Sequence, residues 1–281
     1  MSTYEDILYD VKDGVAVVML NRPDKLNAWT AAMQASVKRA VVDAANDGNV
    51  RVIVVTGAGR GFCAGADMGG LQRIEPGKWN ERELARADSS IDVPRSKLGP
   101  DVSEHYTGRF GYLMSIGKPV IAAINGPCAG IGLVFTLYCD MRFAAAEAKF
   151  TTAFAQRGLI AEHGISWLLP RLTGTAHALD ILFSARKFSA EEAARIGIVN
   201  RVFGQENFLR AVLDYAKQLA TTVSPRSMAV MKAQVWKSLF QDLTDAIAIG
   251  DAEMQKSFAT QDFKEGVAHF VEKRPAKFTG H

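Results

Sequence analysis

Residues 50–67 read V-R-V-I-V-V-T-G-A-G-R-G-F-C-A-G-A-D, and this stretch decides the fold class. Val50–Thr56 is rich in β-branched residues and almost wholly apolar, which is typical of a strand buried on both faces. The glycines that follow break the strand and open a loop of small residues. This buried strand, together with the strand and helix before it, indicates an α/β domain.

The segments around this stretch repeat the strand pattern and place a helix between the strands. Val15–Leu20 predicts another buried strand, and Thr30 suits the N-cap of a helix that runs to Asn46. Strand–helix–strand order predicts an α/β domain. We predict further strands at Pro119–Ile124, Met141–Ala144 and Lys149–Thr152, and helices at Gly130–Tyr138, Ala190–Ile196, Asn207–Thr221, Pro225–Ser238 and Leu243–Phe258.

The change from mixed elements to helices alone predicts two regions, residues 1–204 as the α/β core and residues 205–281 as a C-terminal helical region. Residues 73–110 differ from both, because they are rich in charge and interrupted by glycine and proline. We interpret them as a helical excursion or lid, against the alternative of a surface loop without function.

Composition and charge exclude several classes of protein. Of the 281 residues, 48% are hydrophobic and 22% are charged, and the net charge of +3 is spread among interleaved acids and bases. Nucleic-acid binding normally concentrates positive charge, so no such partner is predicted. The apolar runs are too short to span a membrane, and the acidic N-terminus is unlike a secretory signal. No membrane partner is expected.

The cysteine pattern favours a cytoplasmic protein with reduced thiols. Cys63, Cys128 and Cys139 are odd in number, so they do not form a complete disulfide framework. Their spacing is not that of metal ligands, and no metal site is predicted.

Two loops of small residues follow predicted strands and suit the binding of a negatively charged oxygen. The first is Gly61–Asp67, and the second is Asn125–Gly132, which opens the predicted apolar helix. Small residues let a ligand approach exposed backbone N–H groups, which stabilise developing charge on oxygen. The second loop lacks the G-x-G-x-x-G spacing of dinucleotide-binding proteins, so that interpretation is rejected.

A single carboxylate, Glu162, lies in the apolar stretch G-L-I-A-E-H-G at residues 158–164. Apolar surroundings raise the pKa of a carboxyl group and suit it to acid–base catalysis near neutral pH. The alternative is a surface carboxylate or a cap of the following helix. We expect His163 to point elsewhere, and we consider His105 and Tyr106 as weaker pocket candidates.

These loops and this acid resemble the crotonase family, also called the enoyl-CoA hydratase/isomerase superfamily. The resemblance runs almost from end to end of the chain. It is carried by the order and spacing of Asn21-Arg22-Pro23, Phe62-Cys63-Ala64-Gly65-Ala66-Asp67, Ala123-Ile124-Asn125-Gly126, Cys139-Asp140-Met141-Arg142, Leu169-Pro170-Arg171-Leu172 and Phe270-Val271-Glu272-Lys273-Arg274. It implies a ββα spiral core, a C-terminal helical trimerisation region, and assembly as a homotrimer or hexamer.

The resemblance also implies a coenzyme A thioester as substrate, and therefore no separate cofactor. The thioester oxygen would be held by the N–H groups of Ala66 and Ile131. The resemblance further implies coenzyme A contacts at Lys25, Leu26, Ala28, Ala64, Asp67 and Met68, and at Phe270 and Lys273 for a neighbouring subunit's nucleotide. The alternative for the two lysines is that they are solvated surface charges.

The chain departs from the hydratase pattern at both acids. Hydratases of the family use two glutamates, and the matching positions here are Val134 and Phe154. Glu162 matches instead the single acid of the Δ3,Δ2-enoyl-CoA isomerase branch. The resemblance therefore implies an isomerase. Four alternatives stay open: a hydratase, another reaction of the family such as ring isomerisation or dehydration, a non-catalytic acyl-CoA binder, and an RNA-binding member.

Overall fold

The computed structural model describes residues 4–72, 91–106 and 108–281. The strands are β1 Ile7–Lys12, β2 Val15–Leu20, β3 Val52–Gly57, β4 Val120–Ile124, β5 Cys128–Ala129, β6 Met141–Ala145, β7 Lys149–Thr151, β8 Phe188–Ser189 and β9 Arg201–Phe203. The helices are α1 Ala31–Asn46, α2 Met68–Leu71, α3 Tyr112–Ser115, α4 Ile131–Leu137, α5 Ile165–Thr173, α6 Thr175–Ser184, α7 Ala190–Arg195, α8 Phe208–Thr222, α9 Pro225–Ser238, α10 Leu243–Phe258 and α11 Gln261–Glu272.

The main sheet has the strand order β1-β2-β3-β4-β6-β9. β1 pairs with β2 in antiparallel fashion, whereas every other neighbouring pair is parallel. A smaller sheet, β5-β7-β8, lies beside it. Because β3 and β4 are parallel and paired from Ile53 to Thr56, their carboxyl ends lie side by side, and the loops that follow them start from one edge.

Side chains of β3 alternate between two cores, which explains its apolar sequence. Ile53 and Val55 pack in the larger core, which contains the buried face of α1. Val52 and Val54 pack in a second core with Phe208, Val212 and Ala216 of α8. Both faces of the sheet are therefore covered, as a parallel sheet requires, and the prediction of an α/β fold is confirmed.

The predicted elements are confirmed, with ends that shift by a residue or two. The Thr30 hydroxyl caps α1 by accepting a hydrogen bond of 2.9 Å from the N–H of Met33. The Ser189 hydroxyl likewise accepts from the N–H of Glu192, at 3.2 Å. The Glu192 carboxylate binds Arg186 instead of closing a capping box, because a charged partner lies within 2.6 Å.

The predicted lid falls largely outside the described residues, which omit 73–90 and Thr107. The described remainder, 91–106 and 108–110, consists of turns, bends and irregular backbone that lead into α3. The division at residue 204 stays a prediction, although α8 packs directly on the sheet. Within the described part of the chain, no helix is long and apolar enough to cross a membrane.

Candidate active site

The loops that follow β3 and β4 are joined to each other by backbone hydrogen bonds. The N–H of Cys63 donates to the carbonyl of Pro127 at 3.1 Å, and the N–H of Ala129 donates to the carbonyl of Cys63 at 2.9 Å. The Asn27 amide donates to the carbonyl of Gly61 at 2.8 Å and ties a third loop to this pair. The two small-residue loops predicted from the sequence therefore meet.

Ala66 and Ile131 present backbone N–H groups at this junction. The bridge between Trp29 and Ala66 uses the N–H groups of Trp29 and Asp67, not that of Ala66. Ile131 begins α4, where the first N–H has no acceptor within the helix. Among the described residues, neither N–H has a protein acceptor. Both residues line one cavity and can offer hydrogen bonds to a ligand.

The glycines before these donors allow the two loops to approach closely. Gly65 has φ +107° and Gly130 has φ +51°, a region that favours glycine. A Cβ atom on Gly130 would lie 3.8 Å from the Cα atom of Gly65. The positive φ angles explain glycine at both positions, and the 3.8 Å distance shows that the two loops are in van der Waals contact.

The cavity has a volume of about 1020 Å³, large enough for an extended ligand. One group of lining residues comes from the N-terminal loops and includes Arg22, Lys25, Ala28, Ala64, Asp67 and Met68. A second group includes Arg109, Phe154, Leu159, Ile160, Glu162 and His163. The first group combines basic and small side chains, whereas the second combines three apolar side chains with the ionisable groups of Arg109, Glu162 and His163.

Glu162 lies in the turn before α5 and lines the cavity. Its side chain is 31% exposed. Burial raises the pKa of Glu162 above its ordinary value, and the nearby charge of Arg109 acts in the opposite direction. A carboxyl group with a raised pKa is better suited to take and return a proton near neutral pH.

His163 also lies in the cavity, so the prediction that it points elsewhere is wrong. His163 has a φ of +52°, in the left-handed region, and its side chain lines the cavity. The His163 Nε2 atom is 3.3 Å from a guanidinium nitrogen of Arg109 and 3.8 Å from a carboxylate oxygen of Glu162. Burial and the charge of Arg109 lower the pKa of His163 to about 4.

The two positions that match the hydratase glutamates carry apolar side chains, and the structure places no acid there. Val134 is fully buried in the larger core, and Phe154 lines the cavity. Of the described residues that line the cavity, Glu162 and Asp67 are carboxylic acids. Asp67 forms an ion pair of 3.0 Å with Arg22, so Glu162 is the better candidate for proton transfer.

The predicted coenzyme A contacts divide into three groups. Lys25, Ala28, Ala64, Asp67 and Met68 line the cavity. Leu26 lies beside Gly61 instead, and its carbonyl accepts from the N–H of Ala64 at 2.9 Å. Two residues at the end of α11, Phe270 and Lys273, are not among those that line the cavity of their own chain. Their contact with a neighbouring subunit's nucleotide stays a prediction.

Sequence reasoning did not single out Arg109 as a site residue. It lies at the end of the segment 73–110, which the sequence indicates to be a helical excursion or lid. His105 and Tyr106 from the same segment line a separate cavity of about 200 Å³. Within the described residues, no three His, Cys, Asp or Glu side chains are grouped to hold a metal ion.

Comparison with known proteins agrees with these features. The sequence profile of the family "Enoyl-CoA hydratase/isomerase" matches residues 10–89 and 96–281. The chain is 32% identical over 276 residues to a 1,2-epoxyphenylacetyl-CoA isomerase of Escherichia coli, covering 98% of the chain and 99% of the relative. It is 35% identical over 279 residues to a probable enoyl-CoA hydratase of Rhodobacter capsulatus, covering 99% of both.

A crystal structure of an enoyl-CoA hydratase subunit from Geobacillus kaustophilus superposes with a TM-score of 0.85. The two chains are 30% identical and cover each other completely. The described fold, including its C-terminal helices, is therefore the fold of these proteins.

Proposed function

The chain belongs to the enoyl-CoA hydratase/isomerase family, and from this membership we propose that it shifts a carbon–carbon double bond within an acyl-CoA thioester. Glu162 is the single acid and base of the reaction, and the N–H groups of Ala66 and Ile131 hold the thioester oxygen. The observation that carries this proposal is the position of Glu162 in the cavity that both N–H groups line. The hydratase positions, by contrast, carry Val134 and Phe154.

The proposed reaction begins when the Glu162 carboxylate removes a proton from C2 of a 3-enoyl thioester. The electron pair of that bond moves into the thioester, and negative charge develops on its oxygen. Hydrogen bonds from Ala66 and Ile131 stabilise this enolate, and one such donor is typically worth about 3 kcal/mol of the barrier. Glu162 then returns the proton at C4, so that the product is the 2-enoyl thioester.

The cavity lining supports this assignment of roles. Glu162 is partly buried at the cavity, and this burial raises the pKa of its carboxyl group. One group that takes and returns the same proton is sufficient for a 1,3-shift, whereas hydration must also position and activate a water molecule.

The test of the proposal is Glu162→Gln with a 3-enoyl-CoA substrate. General acid–base groups contribute roughly 10²- to 10⁴-fold to the rate, so we expect kcat to fall by about that factor with KM little changed. Glu147→Gln, which alters an exposed glutamate, is the control and should leave kcat unchanged. Full turnover by Glu162→Gln would show that the proposal is wrong.

The pH dependence of the wild-type rate provides a second measurement of the same role. Because the pKa of Glu162 is raised above 4.5, the loss of activity on acidification should begin at a higher pH than for an exposed glutamate.

A hydratase is the second candidate, and the names of several relatives favour it. Product analysis separates the candidates, because an isomerase converts 3-enoyl-CoA to 2-enoyl-CoA without forming the 3-hydroxy product. Rapid hydration of 2-enoyl-CoA would favour the hydratase. Tight binding of coenzyme A without turnover of any thioester would identify a non-catalytic binder.

A further inference from the structure

Three side chains that line the cavity, those of Arg109, His163 and Glu162, form a short chain of contacts. A guanidinium nitrogen of Arg109 lies 3.3 Å from Nε2 of His163, and the same Nε2 lies 3.8 Å from a carboxylate oxygen of Glu162. The first distance is that of a hydrogen bond, and the second is too long for one. His163 is therefore bonded to the cation and not to the acid.

The direction of this hydrogen bond determines the protonation of His163. A guanidinium group has five N–H donors and no acceptor, so the Nε2 atom of His163 must accept. An accepting Nε2 carries no proton, which places the single ring proton on Nδ1. The ring is then neutral, and its Nε2 has no N–H to donate to Glu162.

The backbone of the turn that carries His163 is held in place. The Tyr138 hydroxyl donates to the carbonyl of His163 at 2.8 Å. His163 and Gly164 both have positive φ angles, of +52° and +81°, so the turn that carries the ring has a defined shape. The side chain of His163 is 15% exposed, which leaves little freedom for it to leave Arg109.

Apart from Glu162, no group described around His163 favours the charged form of its ring. Arg109 and burial lower the pKa of His163 to about 4. Tyr138, at the end of α4, has a pKa raised by burial and stays uncharged. Glu162 is the one negative group that the described structure places beside the ring, and a charged His163 would form an ion pair with it.

Such an ion pair would weaken Glu162 as a base. An opposite charge at this distance favours the carboxylate and lowers its pKa. The two groups would then titrate together and share the proton between them. A neutral His163 avoids both effects.

We propose that Arg109 is a positioning residue that holds His163 neutral with its proton on Nδ1, so that Glu162 alone carries the transferred proton. The statement about Glu162 rests on the proposed isomerase function. The statement about His163 rests only on the hydrogen-bond geometry, and it is tested without any substrate.

The direct test is nitrogen-15 NMR of the histidine rings in the full-length protein. In the wild type, Nε2 of His163 should show the shift of an unprotonated acceptor, and the ring should not titrate between pH 5 and 8. In Arg109→Met we expect a mixture of tautomers and a pKa raised by about one unit or more, because a nearby positive charge is lost. Arg109→Lys keeps the charge and should keep the ring neutral.

Two controls accompany this test. Arg157→Met removes another arginine of the cavity, one that bonds to the carbonyl of Ala153, and should leave the His163 signals unchanged. The signals of the other four histidines report whether Arg109→Met remains folded. An unchanged tautomer and pKa of His163 in folded Arg109→Met would overturn the proposal.

The activity test asks whether Arg109 acts through His163. We expect Arg109→Met to lower kcat and to add an ionisation between pH 5 and 7 to the pH profile. The double variant Arg109→Met/His163→Gln should lose that added ionisation, since no ring remains to titrate. If the added ionisation persists, the link through His163 is wrong. If wild-type enzyme turns over no enoyl thioester, the proposed function fails while the NMR result still decides the protonation of His163.

Discussion

Two glycines delimit the stretch that carries Glu162, and they differ in what surrounds them. Gly158 has φ +69° with no atom within 4 Å of the place where a Cβ would stand. Gly164 has φ +81°, and its Cβ would lie 2.5 Å from the Tyr138 hydroxyl oxygen. Both positions require a left-handed backbone, but only Gly164 also requires the absence of a side chain.

Alanine at the two glycines should therefore cost different amounts of stability. Gly158→Ala should lower the free energy of unfolding by about 1–2 kcal/mol, the cost of a left-handed alanine. Gly164→Ala should cost about 1–3 kcal/mol more because of the overlap with Tyr138, and it should lower kcat by shifting Glu162. Urea unfolding of both variants measures the difference. Equal losses would show that the Tyr138 contact has no influence.

The role of Glu162 and the placement of His163 show how far residue-level reasoning extends. An acid in an apolar segment is visible in the sequence, because the signal lies in its immediate neighbours. The His163 ring contacts Arg109, which is 54 residues away in the chain. Local pattern contains no information about that contact, and the sequence-based prediction for His163 was wrong.

Helix α4 packs closely against the loop that carries Ala66, and the contact is made at Gly132 of the helix. A Cβ on Gly132 would lie 2.6 Å from Cβ of Cys63 and 2.9 Å from its carbonyl oxygen. Alanine is the better helix former, so intrinsic propensity alone would favour it at this position. The short distance between the helix and the loop explains why glycine stands there.

Gly132→Ala should therefore push α4 away from the first loop and separate the N–H groups of Ala66 and Ile131. We expect a loss of about 1–3 kcal/mol in unfolding free energy and a fall in kcat. The control is Gly250→Ala in α10, where no atom lies within 4 Å of the new Cβ, and stability should rise by up to about 1 kcal/mol. A stable and fully active Gly132→Ala would contradict the packing argument.

Helices and strands with a clear local sequence pattern were predicted, whereas a strand without such a pattern was not. The buried strands β2, β3 and β4 and the capped helix α1 were predicted within two residues of their ends. β1 was missed because half of its residues are charged or polar, and it forms by pairing with β2. A strand of this kind is stabilised by a neighbour, and its own sequence does not predict it.

The C-terminal helices expose large apolar side chains on the isolated chain. In α11 these are Phe263, Val267, Phe270 and Val271, which recur at helical spacing on one face. Phe270 is 79% exposed. Apolar faces of this kind usually mark an interface, in agreement with the trimer or hexamer that the family resemblance implies.

We expect light scattering to give a mass of three or six times the 30.5-kDa chain. Phe270→Glu should lower this mass, because a charge buried in an apolar interface is costly. Gln261→Glu lies on the opposite face of α11 and serves as the control. A monomeric wild type would refute the predicted assembly, and an unchanged mass of Phe270→Glu would show that this face is not the interface.

The α/β class, the buried strands, the two small-residue loops and the candidacy of Glu162 were determined by the sequence itself. The first three follow from residues that are close in the chain, through hydrophobic periodicity and the positions of glycine and proline, whereas the candidacy of Glu162 also needed the resemblance to a known family. The hydrogen bond between Cys63 and Pro127, the two cores on either side of β3, and the contact of Arg109 with His163 were decided only by the tertiary structure. These contacts join distant segments, and packing of the whole chain sets the distances on which their chemistry depends.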